Sequence, residues 1–524
     1  MIAALMLAAV VAGAPYPAAE KSIAQIEADL AAGRTTCVAV VQAYLDRIRD
    51  LDRQGPALHS IIALNPHVMA DARAADAARA RGEHLGPLAG VPIILKDNID
   101  SDDDTATTAG SLALRDNVTH RDAPLVRRLT DAGALILGKA NLSEWANIRS
   151  DHSISGWSAV GGLVRNPYAL DRNACGSSAG TGAAVAASLV AAGVGTETNG
   201  SITCPSSLTG LVGLKPTVGL VSRTYVVPIS HTQDTAGPMT RSVADAALLL
   251  TAMAGSDPKD PATAEADRHR TDYVAALAGA SLKGKRLGVV RVTDGMPPAE
   301  TALFETTLKK LAEAGAVLVD VTDVHRDPSL GDAELTVLLT ELKVDLNAYL
   351  ASTSPSVKTR TLQDVIAFNA ATPRELAIFG QETFEAAEQT KGLDDPAYLA
   401  AREKALRLTR QEGIDAILAK HDLDAIVAPS FGPAWRTDVV TGDHDAGGVG
   451  SYAAIAGYPH LTVPMGQVMG LPVGFSFIGP AWSEAKLLAL GAAFEALVQG
   501  RRAPTFAPSV ESRDDVAAAL EPSK

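Results

Sequence analysis

Cysteine is nearly absent: the 524 residues contain three, Cys37, Cys175 and Cys204, an odd number without a CxxC pair. That implies neither a disulfide framework nor a cysteine-built zinc site. Cys175 and Cys204 are expected to be small, buried, inert packing residues. Aromatic residues are scarce, at 4%, which argues against a β-sandwich and for a close-packed helical shell. No basic block occurs; 46 Lys and Arg stand against 60 Asp and Glu, a net charge of −14. Nucleic acid and anionic membrane are therefore poor partners, and solubility is the plainer reading of the acidity. There is no H-E-x-x-H, no carboxylate cluster at ligand spacing and no Walker loop, so neither metal nor cofactor is expected. No apolar run is long enough to span a membrane; Met1 to Ala14 and Gly182 to Gly195 both fall short. The first of these ends in Ala12-Gly-Ala14, which looks like the apolar region and cleavage site of a signal peptide, but no Lys or Arg precedes Lys21. Residues 1–18 are expected to be a signal peptide or an apolar N-terminal extension, with export slightly favoured over a cytoplasmic location.

What is present is a large core. Hydrophobic residues make up 47% and charged residues 20%, as in globular proteins. From Ala19 to Gly82 the pattern is helical: Ile23, Ile26 and Leu30 share one face, Val38, Val41, Leu45 and Ile48 another, with Thr35-Thr36 a start signal. The unbroken apolar run Val91 to Leu95 reads as a buried strand. Alternation then continues: a helix near 123–132, a strand 134–137, a small-residue helix 183–192, and strand pieces at 211–215 and 219–221. A helix over 242–254 is capped by Ser242. Residues 255–270 are the best linker candidate. A β-α-β unit comes next, to about 321, then a mostly helical region over 330–420, strands at 425–429, 461–465 and 473–478, and a closing helix over 483–498. This predicts an α/β fold in one large domain, residues 19–505, with a mostly helical elaboration around 256–424 and a polar tail at 506–524.

Three separated stretches carry chemistry. Lys96 ends the apolar run of Gly90-Val-Pro-Ile-Ile-Leu-Lys96-Asp-Asn98, where burial can make a neutral amine available as a base. Cys175-Gly-Ser177-Ser-Ala-Gly180 is a small-residue loop opening onto a helix, and its Ser177 hydroxyl can both accept and donate a proton. Gly195-Thr-Glu-Thr-Asn-Gly-Ser201-Ile202 places Ser201 in a glycine-flanked turn whose successive N–H groups can hold an oxyanion. Each has an ordinary reading as well: a snorkelling lysine or one paired with Asp97 or Asp100, a cap-rich helix start, an Asn-Gly turn with a solvated serine.

Together these stretches resemble the amidase signature family. Gly213-Leu-Lys-Pro-Thr217, Asp234-Thr-Ala-Gly-Pro-Met239 and Ser242-Val-Ala-Asp245 extend the resemblance over nearly the whole chain. It implies a single domain with a twisted mixed sheet covered by helices on both faces. It also implies hydrolysis of an amide by an activated serine, with Ser201 as nucleophile, Ser177 as a relay following a cis peptide, and Lys96 as base. The backbone N–H groups of Thr198, Asn199, Gly200 and Ser201 would form the oxyanion hole, with the side chains of Ser178 and Thr198 in support. Asn141-Leu-Ser-Glu-Trp-Ala-Asn147, Ser153-Ile-Ser-Gly-Trp-Ser-Ala159 and Gly457-Tyr-Pro459 are most similar to bacterial peptide amidases, which remove the C-terminal amide of peptides. Cys175-Gly176 in place of Gly-Gly, Ala179 and Asn199 depart from the common pattern and bear on substrate preference.

Trp145, Trp157 and Tyr225 are candidates for an acyl pocket, or equally for core. Aryl-amide, anilide and small aliphatic amide hydrolysis are the alternatives within the family. Outside hydrolysis, the same fold serves in transamidation complexes, as one of their subunits. Gly176-Ser-Ser178-Ala-Gly180 also satisfies G-x-S-x-G, which would make Ser178 the nucleophile of an α/β-hydrolase with His421 or His460 as base.

Overall fold

The computed structural model describes residues 15–83, 85–291, 295–324 and 327–522. The apolar N-terminal stretch expected as a leader lies almost wholly outside them. Chain order gives β1 (Ile61–Leu64), β2 (Pro92–Lys96), β3 (Leu135–Ala140), β4 (Trp157–Ser158), β5 (Gly162–Leu163) and β6 (Ala192–Glu197). Then come β7 (Val212–Lys215), β8 (Thr235–Thr240), β9 (Arg286–Val289), β10 (Val317–Asp320), β11 (Ala425–Pro429), β12 (His460–Val468) and β13 (Leu471–Ile478). Eleven of these form one mixed sheet in the order β1-β3-β2-β6-β8-β7-β12-β13-β11-β9-β10, and β4 pairs with β5 alone.

Side chains alternate across a strand, and both faces of this sheet are covered. Leu461 and Val463 of β12 meet Gly491 in the helix Glu484–Val498. Thr462, on the other face, lies with Ser207 of the helix Thr203–Leu208 around Gly474. A second apolar cluster joins Trp145, Leu114 and Val227 to Leu342, Leu346 and Phe384 of the helical region, so that region packs onto the body.

Two neighbouring strands bring Lys96 and the Ser201 turn to one place. β2 is buried at all five positions, as its apolar run predicts, and carries Lys96 at its C-terminal end. β6 lies beside it in parallel register, so the chain leaves β6 at Glu197 on the same sheet edge that bears Lys96.

Some expectations need correction. The small-residue helix is Ala179–Ala186, and Ala192 already opens β6; uniform small residues carry no period from which to set a boundary. Residues 219–221 form an isolated Val218–Val221 bridge in place of a strand. β1 falls inside the segment read as helical. Residues 255–270 do not behave as a linker: Asp257 accepts from the Ser222 and Thr224 hydroxyls, and Asp260 pairs with Arg223 at 2.7 Å. Thr36 and Ser242 cap their helices through Ala39 N–H and Asp245 N–H, both at 3.1 Å.

The cysteines overturn the packing reading outright. Cys175 and Cys204 form a disulfide, while Cys37 is free and buried. The bond ties the loop before Ser177 to the helix after Ser201, across a sequence separation of 29. Chain entropy for a loop of that length gives about 3–4 kcal/mol. The double variant Cys175→Ser/Cys204→Ser is expected to lose about that much stability in urea unfolding under oxidising conditions; an unchanged midpoint would show that the cross-link contributes nothing to stability.

Candidate active site

Lys96 is fully buried. Its Nζ donates to the carbonyl of Thr196 at 3.3 Å and contacts Ser177 Oγ at 2.7 Å and Thr196 Oγ1 at 2.8 Å. Burial pushes its pKa down to about 7, against the opposing pull of Asp234 and Glu197. The surface alternatives for this lysine do not occur: Asp97 accepts from the Thr108 hydroxyl, and Asp100 pairs with Arg121 at 2.7 Å. A neutral amine has two N–H groups and one lone pair. Thr196 can take both N–H groups, which leaves the lone pair directed at the Ser177 hydroxyl. Asn98 Nδ2 steadies Thr196 Oγ1 from the far side at 2.9 Å.

Ser177 follows a cis peptide after Gly176, as the family resemblance implied. A Cβ added at Gly176 would lie 2.1 Å from Ser143 Oγ, so the loop needs glycine for this close approach. Ser143 also donates its N–H to Ser177 O at 3.0 Å and accepts from Gly156 N–H at 2.8 Å, which ties the Ser177 loop to the segment around Gly156.

The turn carrying Ser201 is tied to the relay loop by Ser178 N–H to Ser201 O, at 3.2 Å. Among the described residues, the Ser201 hydroxyl bonds to no protein group, Ser177 included. The N–H groups of Asn199, Gly200 and Ser201 likewise donate to no protein acceptor there, as an oxyanion site requires. Glu197 braces the turn from below: its Oε2 accepts from Ile202 N–H at 2.8 Å, Thr203 N–H at 2.9 Å and Thr203 Oγ1 at 3.1 Å. Thr198 Oγ1 donates to buried Asp234 at 2.6 Å, whose other oxygen accepts from Ile229 and Ser230 N–H.

The structure thus brings Lys96 and Ser177 into contact and holds Ser201 beside them, with Thr198 in a supporting bond. Ser178 is fully buried, and its hydroxyl donates to Thr196 O at 3.1 Å. Among the described residues no histidine bonds to it: His460 contacts Ser476 at 2.6 Å, and His421 pairs with Asp323 at 3.0 Å. The α/β-hydrolase reading fails on that geometry.

Of the three aromatics expected as pocket or core, two are packed in the core. Trp145 stacks edge-on against Phe384, and Trp157 against Phe379, each inside an apolar cluster. Tyr225 lies under Arg121 on the wall of a cavity of about 1060 Å3 that Asp234 also lines. Phe431 puts an aromatic ring against the Ser201 turn, 3.5 Å from where a Gly200 Cβ would sit. Sequence reading missed Thr196, Asn98, Asp234 and Phe431; Glu197, four residues before Ser201 in a glycine-rich turn, was the one with a visible signal.

His231, Glu341 and Asp345 bring potential metal-ligand atoms within 4.8 Å of one another. Tyr398 OH and Thr232 Oγ1 already donate to Glu341, and His231 N–H to Asp345, so a cation would have to displace these bonds.

Thr196→Val keeps the side-chain shape and removes the hydroxyl. It is expected to lower kcat by about 10–100-fold with little change in KM. Losing an acceptor for the ammonium also shifts the acid limb of the rate profile to lower pH. A parallel loss in KM, or an unmoved limb, would contradict the orienting role.

Residues 39–488 match the family model described as Amidase. The native peptide amidase from Stenotrophomonas maltophilia superposes with a TM-score of 0.90 at 50% identity, covering 94% of this chain and 100% of that one. A probable amidase of Arabidopsis thaliana is 40% identical over 498 residues, 93% of this chain and 92% of its own. A glutamyl-tRNA(Gln) amidotransferase subunit from Acidothermus cellulolyticus is 34% identical, covering 92% of this chain and 95% of its own.

Proposed function

This chain belongs to the amidase signature family of amide-hydrolysing enzymes, and from that premise we propose that it hydrolyses the C-terminal amide of peptides to the free acid and ammonia. In this reading neutral Lys96 accepts a proton from Ser177 as Ser177 takes one from Ser201. The Ser201 oxygen attacks the amide carbonyl, and the resulting oxyanion rests on the N–H groups of Thr198, Asn199, Gly200 and Ser201. Collapse expels ammonia, which takes the proton from Lys96 through Ser177. Water then attacks the acyl-enzyme, its proton returning by the same route.

The observation that carries the chemistry is the fully buried amine of Lys96 in contact with Ser177 Oγ at 2.7 Å. Peptide specificity rests on the 50% identity with a peptide amidase over nearly the whole length of both chains. The likeness to amidotransferase subunits supports a second reading, in which ammonia passes to a partner protein.

The experiment is ammonia release from dipeptide amides, N-blocked and with a free N-terminus, by the purified single chain. Release supports hydrolysis without a partner. No release from folded protein, with turnover of an anilide or small aliphatic amide, would move the substrate elsewhere in the family.

A further inference from the structure

Beside the nucleophile turn lies an apolar cavity of about 440 Å3, with Leu330, Ile414, Ile426, Ala428, Val449 and Ile478 in its wall. Ile426 and Ala428 of β11 pair with Ile478 and Ser476 of β13. The cavity floor is therefore on the sheet face covered, one step across, by the helix Thr203–Leu208 that comes after Ser201. Its rim reaches the turn twice. Ser451 Oγ donates to Asn199 Oδ1 at 3.3 Å. Gly448, also in the wall, packs on Phe431, the ring that faces Gly200.

Glu334 lies one helical turn beyond Leu330, on the same helix face, and meets Asn199 of the turn. Its Oε1 accepts from Asn199 Nδ2 at 2.8 Å and from Gln233 Nε2 at 3.0 Å. Among the described residues no donor meets Oε2, and no Lys, Arg or His pairs with this carboxylate. A half-buried carboxylate without a cation is costly unless something supplies one, and Asn199 at this position avoids the like charge that aspartate would bring.

Resting on the peptide-amide reading, we propose that the acyl side of the substrate is a short peptide with a free N-terminus: its α-ammonium meets Glu334 Oε2 and its apolar side chain fills the cavity. Asn199 is two residues from Ser201, and an extended peptide spans roughly 3.3–3.6 Å per residue, so a dipeptide or tripeptide amide has the reach. The mouth is built for an apolar residue carrying a positive charge, and N-acylation removes that charge.

The test compares Leu-Gly-NH2 with N-acetyl-Leu-Gly-NH2 by ammonia release. The wild type is expected to favour the free amine at least about tenfold in kcat/KM at pH 7. That ratio should fall toward 1 in Glu334→Gln. It should also fall in the wild type as pH passes roughly 8, where an α-amino group loses its proton. Replacing the substrate leucine by glycine should cost about tenfold or more. Equal handling of the two peptides, or a ratio that Glu334→Gln leaves in place, overturns the ammonium site; indifference to leucine against glycine overturns the cavity. Failure of the wild type on both peptides would strike the peptide-amide reading itself, and this inference would fall with it.

Discussion

Replacing Ser201 by alanine is expected to lower kcat/KM for an amide substrate by at least about 10⁴-fold while leaving the fold intact. Loss of a serine nucleophile in a coupled constellation removes nearly all of its catalysis. The variant should fold because the hydroxyl contributes no hydrogen bond to the protein among the described residues, and alanine fits the buried position, 8% exposed, that the serine occupies. Ser178→Ala is the informative contrast. Its hydroxyl is fully buried and bonded to Thr196, so its loss should cost some stability and at most about 100-fold in rate. Thermal unfolding and steady-state kinetics on both variants check the pair; the reverse ranking of rates would relocate the nucleophile.

The second large effect belongs to Lys96. Lys96→Ala is expected to cost about 10³–10⁴-fold in kcat, the upper range for a general base, because among the described residues no other titratable group contacts the Ser177 hydroxyl. Lys96→Arg should do no better, since a guanidinium stays protonated and offers no lone pair. In the wild type the sign of the pH dependence is set by which form works. In the proposed mechanism the neutral amine works and the ammonium does not, so kcat/KM should rise with pH through a midpoint near 7, the value to which burial lowers Lys96. A profile flat from pH 5 to 9, or activity in Lys96→Ala within tenfold of wild type, would remove the lysine from the mechanism.

Much of this site could be read from sequence because its parts announce themselves locally. Five apolar residues ending in lysine can hardly be other than a buried strand with a charge at its tip, and β2 is that strand. Glycine-flanked serines mark turns for backbone reasons that hold in any fold. What escaped prediction depends on the meeting of distant segments. Thr196, Asn98 and Asp234 are ordinary polar residues until the sheet sets β2 beside β6. The spacing of 29 between Cys175 and Cys204 says nothing until the two serine loops are seen face to face. β6 and β8, rich in glycine, alanine and threonine, have little strand signal of their own and gain their conformation from their neighbours in the sheet. Aromatic residues misled for the complementary reason: a tryptophan near a motif in sequence is more often packed than presented, and Trp145 and Trp157 are packed.

The central claim is that Ser201 attacks and that Lys96 makes it able to. The most direct measurement is peptide mapping by mass spectrometry after reaction with a serine-directed fluorophosphonate, timed in wild type and in Lys96→Ala. One adduct is expected, on the peptide carrying Ser201, formed at least about 100-fold more slowly when Lys96 is gone. An adduct on Ser177 or Ser178, or labelling at equal rates in the two proteins, would contradict it.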